Sequence, residues 1–305
     1  MVLFPKQKPT LMRLFRRTYD LSLASPRHAT LDDLGAISRL LRSGTHHYTS
    51  YPYPHLPSLL SGAPAVVLVG GRDILAAAIA SWNNDATSWV RALTVIDGLP
   101  VNAAFDLLLP SFHERLHTQH IRHVFYTGDD AADTWIQPGL VTHGYVRETD
   151  VVVYEQLSFE VPTVGNQLVR VRPAVSVDLP DILQVDSACF TAQWRKDDQV
   201  LSGAIFEVPY FVVAEDADQV VGYAFATTHF GGRLVHLVRI AVLPSQQGRA
   251  IGVRLLAEVI AFARTRGAST LTLNTQAHNL RAQRLYEWFG FHRTGEQQTV
   301  LRYDL

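Results

Sequence analysis

The stretch that decides the fold runs from Arg233 to Phe291: RLVHLVRIAVLPSQQGRAIGVRLLAEVIAFARTRGASTLTLNTQAHNLRAQRLYEWFGF. Leu234 to Leu243 is apolar and rich in β-branched residues, which predicts a strand that Pro244 ends. From about Arg249 to Arg266, Ile251, Leu255, Val259 and Phe262 recur on one helical face, and Gly267 supplies a stop. A second strand is predicted over Thr270 to Asn274.

Between strand and helix lie Gln247, Gly248, Arg249, Ala250, Ile251, Gly252 and Val253. The first N–H groups of a helix have no partner inside it, and the helix dipole puts positive charge there. Small residues let a bulky anion approach, so this loop reads as a pyrophosphate site, with Arg249 and Arg254 adding charge. A tight strand-to-helix turn with no ligand is the plainer reading of the same glycines.

Gln247-x-x-Ala250-x-Gly252 resembles the first signature of the GNAT acetyltransferase superfamily, and Asn279-x-x-Ala282-x-x-Leu285-Tyr286-x-x-x-Gly290-Phe291 is similar to its second. Ala250 departs from the usual Gly; at a helix start Ala is expected to be tolerated. The resemblance implies that acetyl-CoA is the cosubstrate and that an amine is acylated by direct attack. It assigns Ile240, Ala241 and Val242 to backbone contacts with the acetyl group and pantetheine, and Gln247 to Val253 to the pyrophosphate. Asn279 bonds the pantetheine or caps its helix, and Tyr286 is the general acid, unless it merely packs. The family's usual Glu base is replaced by Val238. His236, on the same strand face, is either the base or a buried histidine; Glu207 and a water relay are the alternatives.

The 305 residues suit one large or two ordinary domains, and a formal charge of −1 gives no pull toward nucleic acid or an anionic membrane. No apolar run is long enough to span a bilayer. The one cysteine, Cys189, fits a reducing cytoplasm and reads as a helical core residue rather than a nucleophile. A monomer or homodimer is expected. Residues 1–22 read as a basic arm.

The first half carries the same order of signals as the second. Arg27, Ala29, Asp33, Leu34 and Ile37 align with Arg172, Ala174, Asp178, Leu179 and Ile182, and Gly144-Tyr145-Val146-Arg147 with Gly290-Phe291-His292-Arg293. Strands are predicted at Ala65–Val69, Leu75–Trp82, Trp89–Ile96, Val124–Tyr126 and Val151–Glu155, a helix after Pro26, another over Asn102–Thr118, and a loop over Thr45–Ser58. The expected architecture is α+β (mixed α/β): two tandem GNAT-like domains, each a mixed, mostly antiparallel sheet flanked by helices, as in the mycothiol synthase type. The expected bounds are a degenerate domain over 23–158, a linker over 159–167 and an acetyl-CoA domain over 168–305. In the first, Val101 to Asp106 stands where the phosphate loop should be, and Pro138-Gly139 is expected to interrupt a helix.

His113-Glu114-x-x-His117 matches a zinc-binding pattern, with His120 nearby, but Ser111 and Glu114 also read as a capping box restarting the helix after Pro110. His113 and His117 are expected to face solvent, and no metal is expected. Phe190, Trp194, Phe206 and Tyr210 suggest an aromatic acceptor wall, or core. The functional expectation is an N-acyltransferase active only in its second half. A non-catalytic acyl-CoA sensor or scaffold is the alternative.

Overall fold

A computed structural model describes residues 19–50 and 55–305. The first half contains β1 (Ala24–His28), α1 (Leu34–Ser43), β2 (His46–Thr49), α2 (Leu56–Gly62), β3 (Ala65–Gly70), β4 (Asp73–Ala80), β5 (Thr87–Val95), α3 (Val101–Thr118), β6 (His123–Thr127), α4 (Asp130–Thr142) and β7 (Val146–Gln156). The second contains β8 (Arg170–Pro173), α5 (Leu179–Cys189), α6 (Asp198–Glu207), β9 (Tyr210–Asp216), β10 (Gln219–His229), β11 (Leu234–Val242), α7 (Ile251–Thr265), β12 (Thr270–Gln276), α8 (Leu280–Trp288) and β13 (His292–Asp304). The N-terminal arm falls mostly outside the described residues. None of the described helices is long and apolar enough to cross a membrane.

The strands form one sheet in the order β1-β3-β4-β5-β6-β13-β7-β12-β11-β10-β9-β8, with β2 added to β5. The sheet is mostly antiparallel; β5–β6 and β11–β12 are its parallel pairs. The halves are not closed units. Each sends its last strand across the seam: β7 pairs with β12, β13 pairs with β6, and the two pair with each other.

Helices cover both faces of each half. α3 and α4 bury Phe105, Leu108, Phe112 and Ile136 against β3–β6, and α1 and α2 bury Ile37, Leu56 and Leu60 on the other face. In the second half α7 and α8 bury Leu255, Val259 and Tyr286, and α5 and α6 bury Ile182 and Leu201.

The aligned residues perform the same task twice. Arg27 grips Asp33 through two bonds of 2.7 Å, and Arg172 grips Asp178 through bonds of 2.8 and 2.9 Å. Each aspartate also accepts a backbone N–H, from Thr30 and Val175 respectively, fixing the entry to the first helix of its half.

Three first-half expectations need correction. The 45–58 stretch is not all loop, since it holds β2 and the start of α2. α3 runs unbroken through Pro110, so Ser111 starts no new helix. α4 likewise passes through Pro138. A proline forfeits one helical bond, but burial of six α3 residues and four in α4 offsets that loss.

Candidate active site

The site begins with a split in the sheet. β11 and β12 pair only from Leu234↔Thr270 to Leu237↔Leu273 and then diverge. At that point Val238 is an extra residue, because Phe225 pairs with Arg239 and Ala226 with Leu237. A bulge bends and twists its strand, and here it turns the end of β11 away from β12. A cavity of about 630 Å³ fills the split.

The edge of β11 facing that cavity is polar backbone. Leu243 N–H donates to Val221 O at 2.9 Å, so residue 243 points toward β10. The Ala241 carbonyl points the same way, since a Cβ on Gly222 would stand 2.7 Å from it. Alternation along the strand therefore turns the N–H and C=O of Ile240 and Val242 into the split. Ala241 lines the cavity, but its backbone groups serve the sheet, which corrects the expectation that three consecutive residues share the task. Cys189 Sγ and Gln247 Nε2 each donate to Val242 O at 3.2 Å.

At the far end of the cavity is the loop into α7. Gly248 has φ +85°, and Ala250, the N-cap, has φ 56° and ψ 24°. The first helical bond is Arg254 N–H to Ala250 O at 3.1 Å. Ile251, Gly252 and Val253 precede it, so their N–H groups have no helical partner, and all three residues line the cavity. The nearest atom to a Cβ on Gly252 would be Val242 Cγ2 at 3.8 Å, so internal packing does not demand glycine there. Ala250 is not at the ordinary helix start expected but in a left-handed conformation, which costs an L residue about 1–2 kcal/mol.

The arginines sort themselves by partner. Arg249 turns out to Asp216 at 2.6 Å and does not line the cavity, and Arg254 pairs with Glu258 at 2.8 Å, so neither supplies the expected charge. Arg281 does line the cavity and donates to Gln247 Oε1. Asn279 Oδ1 caps α8 by accepting from Ala282 N–H at 3.2 Å, and the residue also faces the cavity.

Tyr286 stands on α8 with its ring against Tyr154 and Phe291. It is 6 % exposed and lines the cavity, and its hydroxyl has no hydrogen bond among the described residues. Burial pushes its pKa up to about 12, so it holds its proton at neutral pH. His236 is elsewhere. Its Nδ1 lies 2.9 Å from Thr272 Oγ1 where β11 and β12 still pair, it does not line the cavity, and burial pushes its pKa down to about 4. This corrects its reading as the base. Glu207 also lies away from the cavity, which has no carboxylate or imidazole among its described lining residues.

A polar network unseen in the sequence supports the β11 end of the cavity. Asp186, 1 % exposed, accepts from Arg239 Nε at 2.9 Å, Arg239 Nη2 at 2.6 Å, Tyr223 OH and Lys196 N–H. The Arg239 guanidinium lies 3.4 Å over the Phe190 ring, and both residues line the cavity. Of the expected aromatic wall only Phe190 belongs there. Trp194 packs on Trp89, Tyr210 stacks on Phe262, and Phe206 is 75 % exposed. Cys189, at the end of α5, is half-buried, packs against the core beneath α5 and α6 and also lines the cavity, and burial raises its thiol pKa.

Residues 179–291 match the family described as Acetyltransferase (GNAT) family. This segment is a GNAT acetyltransferase domain. The chain is 38% identical over 86 residues to the spore coat polysaccharide biosynthesis protein SpsD of Bacillus subtilis, a match covering 28% of each protein. It is 33% identical over 91 residues to N-acetyltransferase 8F1 of Rattus norvegicus, covering 28% of this chain and 41% of that one. The matches thus span well under two thirds of these relatives. A tandem GNAT protein from the clavulanic acid biosynthesis pathway aligns in structure with TM-score 0.59 and 13% identity, over 92% of this chain and 98% of that one, so the GNAT fold extends through both halves.

The GNAT fold of the first half has the same split, and it is filled. β5 and β6 pair only from Thr87↔His123 to Trp89↔Phe125, and Arg91 is the bulged residue, as Val238 is in β11. Strand β2 then pairs with the freed edge of β5 from His46↔Val95 to Thr49↔Ala92, and Tyr48 OH donates to Thr127 O at the end of β6. In the second half the segment after α5 swings away from its own split. Gln193 O accepts from Trp89 Nε1 at 2.7 Å, and Trp194 O from Arg239 Nη2 at 2.6 Å.

Of the zinc-like pattern in α3, only His113 is built into packing, while Glu114 and His117 are exposed. His113 stacks on Tyr303 with ring centres 4.0 Å apart, and its Nε2 is 3.2 Å from Tyr145 OH, so it is not the solvent-facing residue expected. No group of three or more His, Cys, Asp or Glu able to hold a metal occurs among the described residues.

Proposed function

We propose that the chain is an acetyl-CoA-dependent N-acyltransferase that acylates a small amine by direct attack, using the second half alone. One observation carries this reading: a strand edge with no strand partner, an open helix N-terminus and a tyrosine hydroxyl with no hydrogen bond among the described residues all face one cavity. The N–H groups of Ile251 to Val253 suit a pyrophosphate. The backbone of Ile240 and the N–H of Val242 suit an amide-bearing pantetheine arm, which would lie where a strand partner otherwise lies. Attack by the neutral amine forms the C–N bond and breaks the thioester C–S bond; Tyr286 donates its proton to the leaving thiolate and regains one through water from the nitrogen, which sheds its surplus proton as the amide forms. β2 in the first-half split supports restricting the cofactor to the second half.

A second reading, a non-catalytic acyl-CoA sensor or scaffold, draws on the lack of a carboxylate or imidazole among the described lining residues. Calorimetry with acetyl-CoA, followed by thiol release against a panel of amines, separates the two. The acyltransferase binds and releases thiol with at least one amine. Binding without release for any amine favours the sensor, and no binding overturns both.

A further inference from the structure

The segment between β7 and β8 contains no helix or strand, yet it is fastened to the loop that opens α7. Gly165 has φ +71°, and a Cβ on it would stand 2.5 Å from Arg254 N and 2.8 Å from Ala250 O. Backbone therefore runs in contact with the first turn of α7, and only glycine fits. Asn166 follows. Its N–H donates to Ala250 O at 3.2 Å, and its Nδ2 donates to Arg249 O at 2.9 Å. Its Oδ1 accepts from Leu168 N–H at 2.8 Å and Val169 N–H at 3.3 Å, which fixes the amide with Nδ2 toward the loop.

Two successive loop carbonyls thus point at Asn166. In a trans peptide the N–H points opposite to the C=O. Asn166 Nδ2 holds the Arg249 carbonyl outward, which drives the Ala250 N–H the other way; the Ala250 carbonyl is shared between Asn166 N–H and the helical Arg254 N–H, which sets the Ile251 N–H opposite it. Ala250 and Ile251 line the cavity, whereas Arg249 does not. The same grip holds Ala250 in its left-handed conformation, a strained state that persists only where its surroundings fix it.

We infer that Gly165-Asn166 is a positioning device for the anion-binding loop, aiming its N–H groups at the pyrophosphate of an acyl-CoA. This rests on the proposed acetyl-CoA site. The test compares acetyl-CoA with S-acetyl-pantetheine, which keeps the thioester and arm but lacks the pyrophosphate. Affinities are measured by calorimetry on the full chain, the weaker ligand as a competitor. Asn166→Ala is expected to weaken acetyl-CoA about tenfold and S-acetyl-pantetheine less than twofold. Asn166→Asp keeps the bonds to Leu168 and Val169 but sets an oxygen against Arg249 O, so its selective loss exceeds that of alanine. Gly165→Ala, which leaves every Asn166 group in place, shows the same selective loss by pushing the segment off the loop. Equal weakening of both ligands, or unchanged acetyl-CoA affinity, overturns the inference. A wild-type chain that binds neither ligand overturns the acetyl-CoA site itself.

Discussion

Ala250 offers a direct test of how the loop is built. At φ 56° its Cβ crowds the following carbonyl, a penalty of about 1–2 kcal/mol for an L residue. Replacing it with glycine removes that penalty but gives the unfolded chain more freedom, worth about 0.4–1 kcal/mol. Ala250→Gly is therefore expected to stabilise the protein by roughly 0.5–1 kcal/mol, a rise of a few degrees in Tm on the scale of about 2–4 °C per kcal/mol for domains of this size. Thermal and urea unfolding of the full chain read this, and acetyl-CoA affinity should hold or improve. Ala250→Val is the counterpart: a β-branched residue is an outlier at positive φ, so both stability and affinity fall. A stability loss for Ala250→Gly would refute the reasoning, because it would mean that the left-handed conformation at the N-cap is not what residue 250 adopts.

Tyr286→Phe should lower turnover by 10²-fold or more, the usual contribution of a positioned acid, with acetyl-CoA affinity within about twofold; a large affinity loss would make Tyr286 a binding residue. Asp186→Ala leaves the buried Arg239 without its anion and is expected to cost about 3–5 kcal/mol in urea unfolding; a change below about 1 kcal/mol would contradict the network's role. Between pH 7 and 5 stability should fall. His113 and His236 stay neutral when folded down to about pH 4, while the unfolded chain protonates them from about 6.5, so the unfolded state binds more protons across that window. A Tm that does not fall across that range would contradict this burial.

The second half was readable because its chemistry is local. The strand, loop and helix from Leu234 to Thr265 are contiguous, and their periodicity, Pro244 and the loop glycines are each sufficient signals. What escaped was long-range. Asn166 acts through a loop 83 positions further along the chain, and a polar residue in a Pro- and Gly-rich stretch carries no sign of that. Strand β2 was hidden because its partner, β5, lies over 40 residues away and its His-Tyr composition reads as loop. The exchange of β7 and β13 likewise depends on pairing between halves. One signal was available: Arg239 interrupts the apolar run LVHLVRIAV, and a buried guanidinium requires an anion, here Asp186. His236 misled because strand alternation gives its face correctly but not its distance from the split, which opens only beyond Leu237.

One of the two similar splits is open, and the other is closed by the chain itself. The number of acetyl-CoA molecules bound per full-length chain tests this most directly. Calorimetry is predicted to give one site, abolished by Gly252→Asp, which sets a carboxylate at the open helix N-terminus. Two sites, or one site that survives Gly252→Asp, would contradict the account.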